Sequence, residues 1–109
     1  MMDGKRYTLN DYQGDAMRFR LATATPEYAK FGLFGEAGEI ASLDAKAIRD
    51  GKKVDYEQQM KKELGDVLWF VAAIAMDNGF TLQDVADANI YKLSGRKDAG
   101  TIQGSGDNR

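Results

Sequence analysis

Apolar residues recur at helical spacing in four stretches of the chain, which predicts an all-α fold of four helices. The first stretch opens at Thr8, three residues before Asp11, and this capping-box spacing marks a helix start. We expect the helix to continue to about residue 23. The positions expected to face the core are Leu9, Tyr12, Ala16 and Phe19.

The second stretch predicts a long helix that starts at Pro26 and ends at Arg49 or Asp50, before Gly51. Proline is tolerated in a first helical turn, and glycine adopts the left-handed conformation that stops a helix. Each glycine inside a helix costs about 1 kcal/mol relative to alanine. Three lie in this one: Gly32, Gly35 and Gly38. They indicate either a break around residues 32–35 or the close approach of another backbone or a ligand, with tight helix packing as the alternative.

The third and fourth stretches predict two further helices. Asp55 is suited to cap the third, which we expect over about residues 56–78. The fourth starts at a second capping-box pattern, formed by Thr81 and Asp84, and is expected to end near residue 94. Its core-facing positions are Leu82, Val85, Ala86, Ile90 and Leu93.

Two pairs of acidic residues lie within the apolar stripes of the second and third helices. Glu36 and Glu39 form one pair, and Glu63 and Asp66 form the other. Successive residues turn by about 100°, so a spacing of three places both members of a pair on one side of a helix. The apolar residues within about 60° of Glu36 or Glu63 are Ala29, Leu33, Ile40, Leu43, Ala47, Tyr56, Met60, Val67, Phe70 and Ile74. Packing of the two stripes would bring four carboxylates together inside the protein.

Such a cluster needs a compensating charge, because burying an unpaired carboxylate costs several kcal/mol. The acids must stay protonated, pair with basic side chains such as Lys30, Lys46 or Lys62, or share a cation. An all-oxygen ligand set without His or Cys suits Mg²⁺, with Mn²⁺ as a substitute. The chain contains no histidine, which argues against a di-iron bundle built on Glu-x-x-His.

Two aromatic residues and one polar flank are further candidates. Trp69 points about 120° away from Glu63 and is expected to contact another helix or a second subunit. The ring of Phe70, one turn after Asp66, either stacks on a base or sugar or packs in the core. On the fourth helix three hydrogen-bond donors share one flank: Asn89, Lys92 and Arg96. This flank is either a phosphate-binding surface or a solvated helix edge.

Composition sets the limits of the interpretation. We expect one domain over residues 1–109, with a core of about 8–96 and a flexible glycine-rich tail over 97–109. Folding of this tail over bound ligand, through Asp107 or Arg109, is the alternative. A chain this short often gains core by oligomerising. The net charge of −2 provides no broad basic surface, so we expect no nucleic acid polymer as partner. The chain has no cysteine, no apolar signal segment and no window long enough to span a membrane, so a cytoplasmic location is expected.

Three segments, residues 35–39, 62–69 and 89–93 with Arg96, resemble the MazG-like all-α nucleoside triphosphate pyrophosphohydrolases. The chain is most similar to the small single-domain members, which include phage-type proteins and dCTP pyrophosphatases. The resemblance covers about residues 8–96 and implies a four-helix bundle-like fold that assembles as a homodimer or homotetramer. It also implies Mg²⁺-dependent hydrolysis of (deoxy)nucleoside triphosphates to monophosphate and pyrophosphate, as in house-cleaning of nucleotide pools.

The resemblance assigns roles to individual residues. The implied Mg²⁺ ligands are Glu36, Glu39, Glu63 and Asp66. Positions that contact the nucleotide or its phosphates are matched by Asn89, Lys92 and Arg96. Lys92 is also expected to act in catalysis by holding the phosphates in line for attack. Gly35 stands where many members have a leading glutamate that is a candidate for activating water, so the base here would be Glu36 or Glu39, with Glu39 preferred. A different class of function is a non-catalytic helical dimerisation module whose carboxylates form salt bridges.

Overall fold

A computed structural model describes residues 6–104 and 106. Within these residues the chain forms four α-helices and no strands, which confirms the all-α prediction. The helices are α1 (Leu9–Met17), α2 (Pro26–Asp50), α3 (Tyr56–Asp77) and α4 (Leu82–Ala99). Asp107 and Arg109, considered above as ligand contacts from the tail, lie outside the described residues.

The starts of α1 and α4 are fixed by the two predicted capping boxes, both of which are present. The Asp11 backbone N–H donates to Thr8 Oγ1, and the Thr8 N–H donates to Asp11 Oδ2, both at 3.0 Å. The corresponding bonds between Thr81 and Asp84 are also 3.0 Å long. Each box provides acceptors for backbone donors that have no partner within the helix.

The central helices follow the predicted bounds closely. Thr25 caps α2 by accepting a hydrogen bond from the Tyr28 backbone N–H at 3.2 Å, and α2 ends at Asp50, directly before Gly51, whose φ is 85°. The helix is unbroken through its three glycines. Asp55 occupies the N-cap position of α3 but makes no capping hydrogen bond; its carboxylate accepts instead from Gln59 Nε2 at 2.7 Å.

The prediction for the end of α1 is wrong. The helix stops at Met17 rather than near residue 23, and Phe19, expected in the core, is 78% exposed. Residues 18–24 form turns in which Arg20 Nε donates to the carbonyl oxygen of Ala24 at 2.9 Å. Arg20 also forms an ion pair with Asp77 of α3, and this tertiary contact is made from the turns rather than from a continued helix.

Helix α4 is longer than predicted and less buried. It continues through residues 95–99, assigned above in part to the tail, and ends at Gly100, whose φ of 73° is the left-handed conformation of a helix stop. The Thr101 backbone N–H donates to the carbonyl oxygen of Arg96 at 2.8 Å and completes this end. Of the apolar residues expected in the core only Leu82 is buried, and Ile90 is 62% exposed.

The helices pack unevenly around α3. Helix α2 packs along α3 and contacts neither α1 nor α4 closely, whereas α1 and α4 both pack on α3 and on each other. A cluster of buried apolar residues lies at this second junction. It consists of Ala72, Ala75 and Leu82, with Tyr12, Met17 and Val71 packed against it. None of the helices in the described part of the chain is both long and apolar enough to cross a bilayer.

Candidate active site

The two acid pairs lie where the apolar stripes of α2 and α3 meet. Ala29 is fully buried in this contact, and the other apolar residues of the α2 stripe are half-buried: Leu33, Ile40, Leu43 and Ala47. The α3 stripe is half-buried as well, at Tyr56, Met60, Val67, Phe70 and Ile74. The packing of these two faces, predicted from their spacing, is therefore confirmed.

Three of the four acids come together. Glu36, Glu63 and Asp66 each offer a carboxylate oxygen, and these oxygens lie within 4.8 Å of one another. Glu36 and Glu63 are half-buried, Asp66 is exposed, and Glu39 is exposed and lies outside this group of three. The expectation of four carboxylates inside the protein is thus wrong: the cluster opens to solvent at the margin of the α2–α3 contact.

The cluster perturbs the Glu36 carboxyl. Its pKa is raised, first by desolvation, then by the negative charges of Asp66, Glu63 and Glu39 and by a hydrogen bond with Glu63. Each of these effects favours the neutral acid over the carboxylate. Glu39 therefore contributes to the field of the site although it is not part of the close group.

No described cation neutralises these acids. The ion pairs within residues 6–104 and 106 join Arg18 to Asp15, Arg20 to Asp77 and Arg49 to Asp50. Salt bridges from Lys30, Lys46 or Lys62, considered above as an alternative, are absent from the same residues. Within the described part of the chain, the cluster is an uncompensated group of like charges.

A glycine next to the acids admits an aromatic ring. A Cβ atom built on Gly32 would lie 2.2 Å from Phe70 Cε1, far inside van der Waals contact. Only glycine therefore fits the present position of the ring. Gly35 and Gly38 have nothing within 4 Å of such an atom. Of the interpretations offered for the three glycines, Gly32 supports tight helix packing, because the group that approaches it is a side chain of α3 rather than a backbone or a ligand. The helix does not break.

Phe70 lies in an aromatic group rather than alone beside the acids. Its ring centroid is 6.2 Å from that of Tyr28 and 5.1 Å from that of Trp69, whose ring it meets edge-on. These rings border a cavity of about 360 Å³ that also touches Phe19 and Leu21. The packing interpretation of Phe70 is supported, while one side of the ring still faces an open cavity.

Trp69 contacts another helix, which was one of the two alternatives predicted for it. The indole Nε1 donates a hydrogen bond of 2.9 Å to the carbonyl oxygen of Ala16, the penultimate residue of α1. This bond anchors the end of α1 to the middle of α3. It therefore holds α1 against α3, the helix that carries Glu63 and Asp66.

The polar flank of α4 divides into two parts. Asn89 and Lys92 line a groove of about 450 Å³, together with Phe80, Asp84, Val85 and Ala88. Arg96 is only 7% exposed, and its Nη2 donates to the carbonyl oxygen of Gly106 at 3.1 Å. A smaller cavity shares Phe80 and Val85 with this groove and reaches Leu33 on α2. The solvated-edge interpretation is thus wrong for Arg96, and the flank presents Asn89 and Lys92 to a groove.

Two residues of these cavities were missed in the sequence. Tyr28 lies in the first turn of α2, outside the apolar stripe around Glu36, so its spacing did not indicate a place beside the site. Asp84 was assigned only to the capping box, yet it lies four residues before Ala88 and eight before Lys92, on the same side of α4. The four-residue spacing was a signal that placed all three along one groove.

Comparison with known proteins gives the context for this geometry. The model of the MazG nucleotide pyrophosphohydrolase domain matches residues 24–101, most of the chain. The chain belongs to the MazG family. A curated relative, the Gene 37 protein of Mycobacterium phage L5, is 47% identical over 85 residues, which are 75% of either chain. No solved structure gives a significant match.

The MazG match contains both acid pairs and the polar flank of α4. It omits α1, which spans Leu9–Met17, so the helix that holds α3 through Trp69 lies outside the matched segment. The recognisable MazG portion is therefore α2, α3 and α4, and α1 completes its core.

Proposed function

We propose that this MazG domain hydrolyses (deoxy)nucleoside triphosphates to a nucleoside monophosphate and pyrophosphate, with Mg²⁺ as cofactor and Mn²⁺ as an alternative ion. The observation that carries the proposal is the convergence of Glu36, Glu63 and Asp66 within 4.8 Å. Family membership supports a nucleotide as substrate and pyrophosphohydrolysis as the reaction. The substrate is the small-molecule nucleotide rather than a nucleic acid polymer.

The donor set fits a hard divalent ion. Three carboxylate oxygens at this separation, without His or Cys, match the ligand preference of Mg²⁺ and Mn²⁺. Desolvation, followed by the negative charges of Asp66 and Glu63, raises the pKa of Glu36, and no described cation offsets these charges. Divalent charge would relieve this repulsion, so the geometry and the electrostatics favour the same occupant.

The proposed ligands are Glu36, Glu63 and Asp66, with Glu39 as a fourth ligand or as the base. A bound ion would neutralise phosphate charge and strengthen the electrophilic character of the phosphorus atom. Glu39 is exposed and stands beside the close group, so it is free to accept a proton from the attacking water. Glu36 is the other candidate base. Water then attacks the α-phosphorus, its oxygen remains on the monophosphate, and pyrophosphate leaves with the bridging oxygen.

The groove on α4 is the proposed phosphate-binding side. Lys92 supplies a positive charge and Asn89 an amide donor to the groove of about 450 Å³. Arg96 donates a hydrogen bond to the carbonyl oxygen of Gly106. Its first proposed role is therefore to stabilise the end of α4, and contact with a phosphate is its second. Phe70 is the proposed platform for a base or sugar, through the ring side that faces its cavity.

Substitutions that remove one charge without changing shape test the proposal. We expect Glu39→Gln to lower Mg²⁺-dependent pyrophosphate release by about 10²- to 10⁴-fold, as for loss of a general base. Glu63→Gln and Asp66→Asn, which each remove a proposed metal ligand, should abolish Mg²⁺-dependent pyrophosphate release. The matched control is Glu57→Gln, on the exposed first turn of α3. All eight common NTPs and dNTPs serve as substrates, and circular dichroism verifies folding. Wild-type turnover by folded Glu63→Gln or Asp66→Asn would contradict the assignment.

A non-catalytic dimerisation module is the second candidate, and the exposed apolar surface is the observation that fits it. Phe34 is 84% exposed, Ile48 86% and Tyr91 84%. These exposures also support the proposed assembly as a homodimer or homotetramer, so they do not separate the two functions. A ligand that binds only the folded state raises the melting temperature. A module predicts no shift with Mg²⁺ and nucleotide, whereas the enzyme predicts a clear rise.

A further inference from the structure

Arg20 ties the connection between α1 and α2 to the C-terminal half of α3. Its Nε donates to the carbonyl oxygen of Ala24 at 2.9 Å. Its Nη1 and Nη2 each donate to one carboxylate oxygen of Asp77 at 2.9 Å, and Nη1 also donates to the carbonyl oxygen of Ala73 at 3.5 Å. One guanidinium group therefore closes residues 20–24 into a loop and fixes this loop on α3.

The connection forms one wall of the cavity of about 360 Å³ that contains the Phe70 ring. Its contributions to the lining are Phe19, Leu21, Thr23 and Ala24, and the rest is Tyr28, Trp69 and Phe70. Phe19 and Leu21 are the chain neighbours of Arg20, so the position of the arginine sets theirs. We call Phe19, Leu21 and Thr23 the cavity wall.

Apolar packing does not hold the cavity wall in place. Phe19 is 78% exposed and Leu21 72%. Burial contributes little to the position of side chains that remain so largely in water. Among the described residues, the hydrogen bonds between the connection and α3 all come from Arg20. The placement of the wall against the aromatic rings of α3 therefore depends on this one side chain.

The burial of the ion pair favours a positioning role. The side chain of Arg20 is 13% exposed and that of Asp77 16%. Taking two charges out of water offsets much of their attraction, so such a pair adds little stability beyond that of apolar residues of the same volume. The planar guanidinium with two parallel bonds does fix one orientation. What the pair supplies above all is a defined geometry for the connection.

We propose that Arg20 is a positioning residue that holds the cavity wall against the nucleoside part of the substrate and thereby sets which nucleotides are preferred. The inference rests on the proposed function in one respect, the placing of a base or sugar on Phe70. It adds that selectivity depends on residues 19–23, which precede the segment matched by the MazG domain. A fixed wall discriminates between bases by shape, whereas a displaced wall admits them more equally.

Kinetics of Arg20→Met test the proposal, because methionine removes the charge and the fork of hydrogen bonds. The KM of the best nucleotide should rise about tenfold, the effect of losing roughly 50–60 Å² of apolar contact, while kcat stays within about twofold. The ratio of kcat/KM between the best and the poorest of the common NTPs and dNTPs should fall. A purely structural role would instead reduce the amount of folded enzyme, which lowers kcat equally for every nucleotide and changes neither KM nor the ratio.

Arg18→Met is the matched control. Arg18 lies in the same connection, but its side chain is exposed and its ion pair with Asp15 is 3.8 Å long. This variant should keep the wild-type KM and the wild-type ratio. Arg20→Lys, which keeps the charge without the fork, should fall between Arg20→Met and wild type. Wild-type KM and ratio in folded Arg20→Met, or the same changes in Arg18→Met, would overturn the proposal.

Leu21→Ala tests the cavity wall without disturbing Arg20. The side chain is exposed, so its truncation leaves the buried residues in place. The KM should rise about threefold in the wild-type background, since less apolar contact is lost than in Arg20→Met. It should rise no further in the Arg20→Met background, because the wall is already displaced there. An unchanged KM in Leu21→Ala, or effects of the two substitutions that simply multiply, would overturn the proposal.

Fluorescence of Trp69 tests the wall without substrate or metal. This residue is the one tryptophan of the chain and lines the cavity. In folded Arg20→Met, acrylamide should quench its emission more strongly than in wild type, and in Arg18→Met equally to wild type. A wild type that hydrolyses no nucleotide would contradict the proposed function alone, and Trp69 would then decide the role of Arg20. Unchanged quenching in folded Arg20→Met would overturn the proposal whatever the activity.

Discussion

The two ends of α3 differ in how their polar groups are paired. At its C-terminal end the buried Gln13 of α1 donates to the carbonyl oxygens of Ala72 and Phe80, each at 3.2 Å, and accepts from the Leu82 N–H at 3.0 Å. Arg20 forms a two-pronged ion pair with Asp77 through bonds of 2.9 Å. At the N-terminal end, by contrast, half-buried carboxylates face one another without a described cation.

This contrast separates structure from function within one helix. Buried polar groups whose hydrogen bonds are all made stabilise a unique packing. Clustered like charges destabilise the fold and persist where another component, here a proposed divalent ion, restores the balance. The C-terminal end is therefore expected to respond to mutation through stability, and the N-terminal end through ligand binding.

The largest effect on stability is expected from Gln13→Leu. The substitution leaves the Leu82 N–H and the carbonyl oxygens of Ala72 and Phe80 without this partner, and each buried unsatisfied group costs about 1–3 kcal/mol. We expect the free energy of unfolding to fall by about 3 kcal/mol in urea titrations. Gln58→Leu, at an exposed position of α3, is the control and should change stability little. If both variants lost the same free energy of unfolding, the hydrogen bonds of Gln13 would not contribute specially to stability.

A smaller effect is expected where the two ends meet, from Gly32→Ala. The new Cβ atom would lie 2.2 Å from Phe70 Cε1, so the ring must shift, and overpacking of this kind costs about 1–3 kcal/mol. Gly35→Ala is the matched control: it meets nothing within 4 Å and should stabilise α2 by about 0.5–1 kcal/mol. Opposite signs in thermal melts are the expected result.

A double-mutant cycle sharpens this test. Phe70→Leu removes the atoms that the new methyl group would meet, so Gly32→Ala should be tolerated better in that background. If the two substitutions are additive, the contact between Gly32 and the Phe70 ring does not account for the loss.

Much of this fold was predictable from local signals. The capping boxes, Pro26 and the glycine after α2 each act within one turn of chain, and the elements they bound appear as expected. The end of α1 was not predictable, because Arg20 turns the chain through contacts with Ala24 and with Asp77, 57 residues away. The same holds for the end of α4, which continues past Gly95. Arg96 is buried there, and its Nη2 bonds to Gly106, ten residues further along the chain.

For the candidate site, the helix face that carries each acid was predictable, but the exposure of the acids was not. Spacing of three residues placed both acids of each pair on the packed faces, and three of the four meet. The exposure of Glu39 and Asp66 depends on how far α3 covers α2, which periodicity does not give. Gln13 was a readable signal: it lies between Tyr12 and Ala16 on the apolar side of α1, where a polar residue indicates a buried hydrogen-bond partner.

The smallest effect is expected from Glu36→Gln in the protein without metal, and its sign is the sharpest test of the contrast. The raised pKa means that the native state holds its Glu36 proton more tightly than the unfolded chain. Stability should therefore fall as pH rises from about 4.5 through the raised pKa, and stay lower at neutral pH. Glutamine carries no charge and still donates a hydrogen bond to Glu63, so Glu36→Gln should melt at a higher temperature than wild type at pH 7.

The advantage of Glu36→Gln should vanish in two ways. Below pH 4.5 the wild-type carboxyl is protonated in both states, so the two melting curves should converge. Added Mg²⁺ should raise the melting temperature of wild type more than that of the variant, because only wild type keeps the full ligand set. Glu57→Gln, remote from the cluster, should show neither change. A variant less stable than wild type at every pH would mean that Glu36 already has a compensating partner, and the two ends of α3 would then differ less than their geometry indicates.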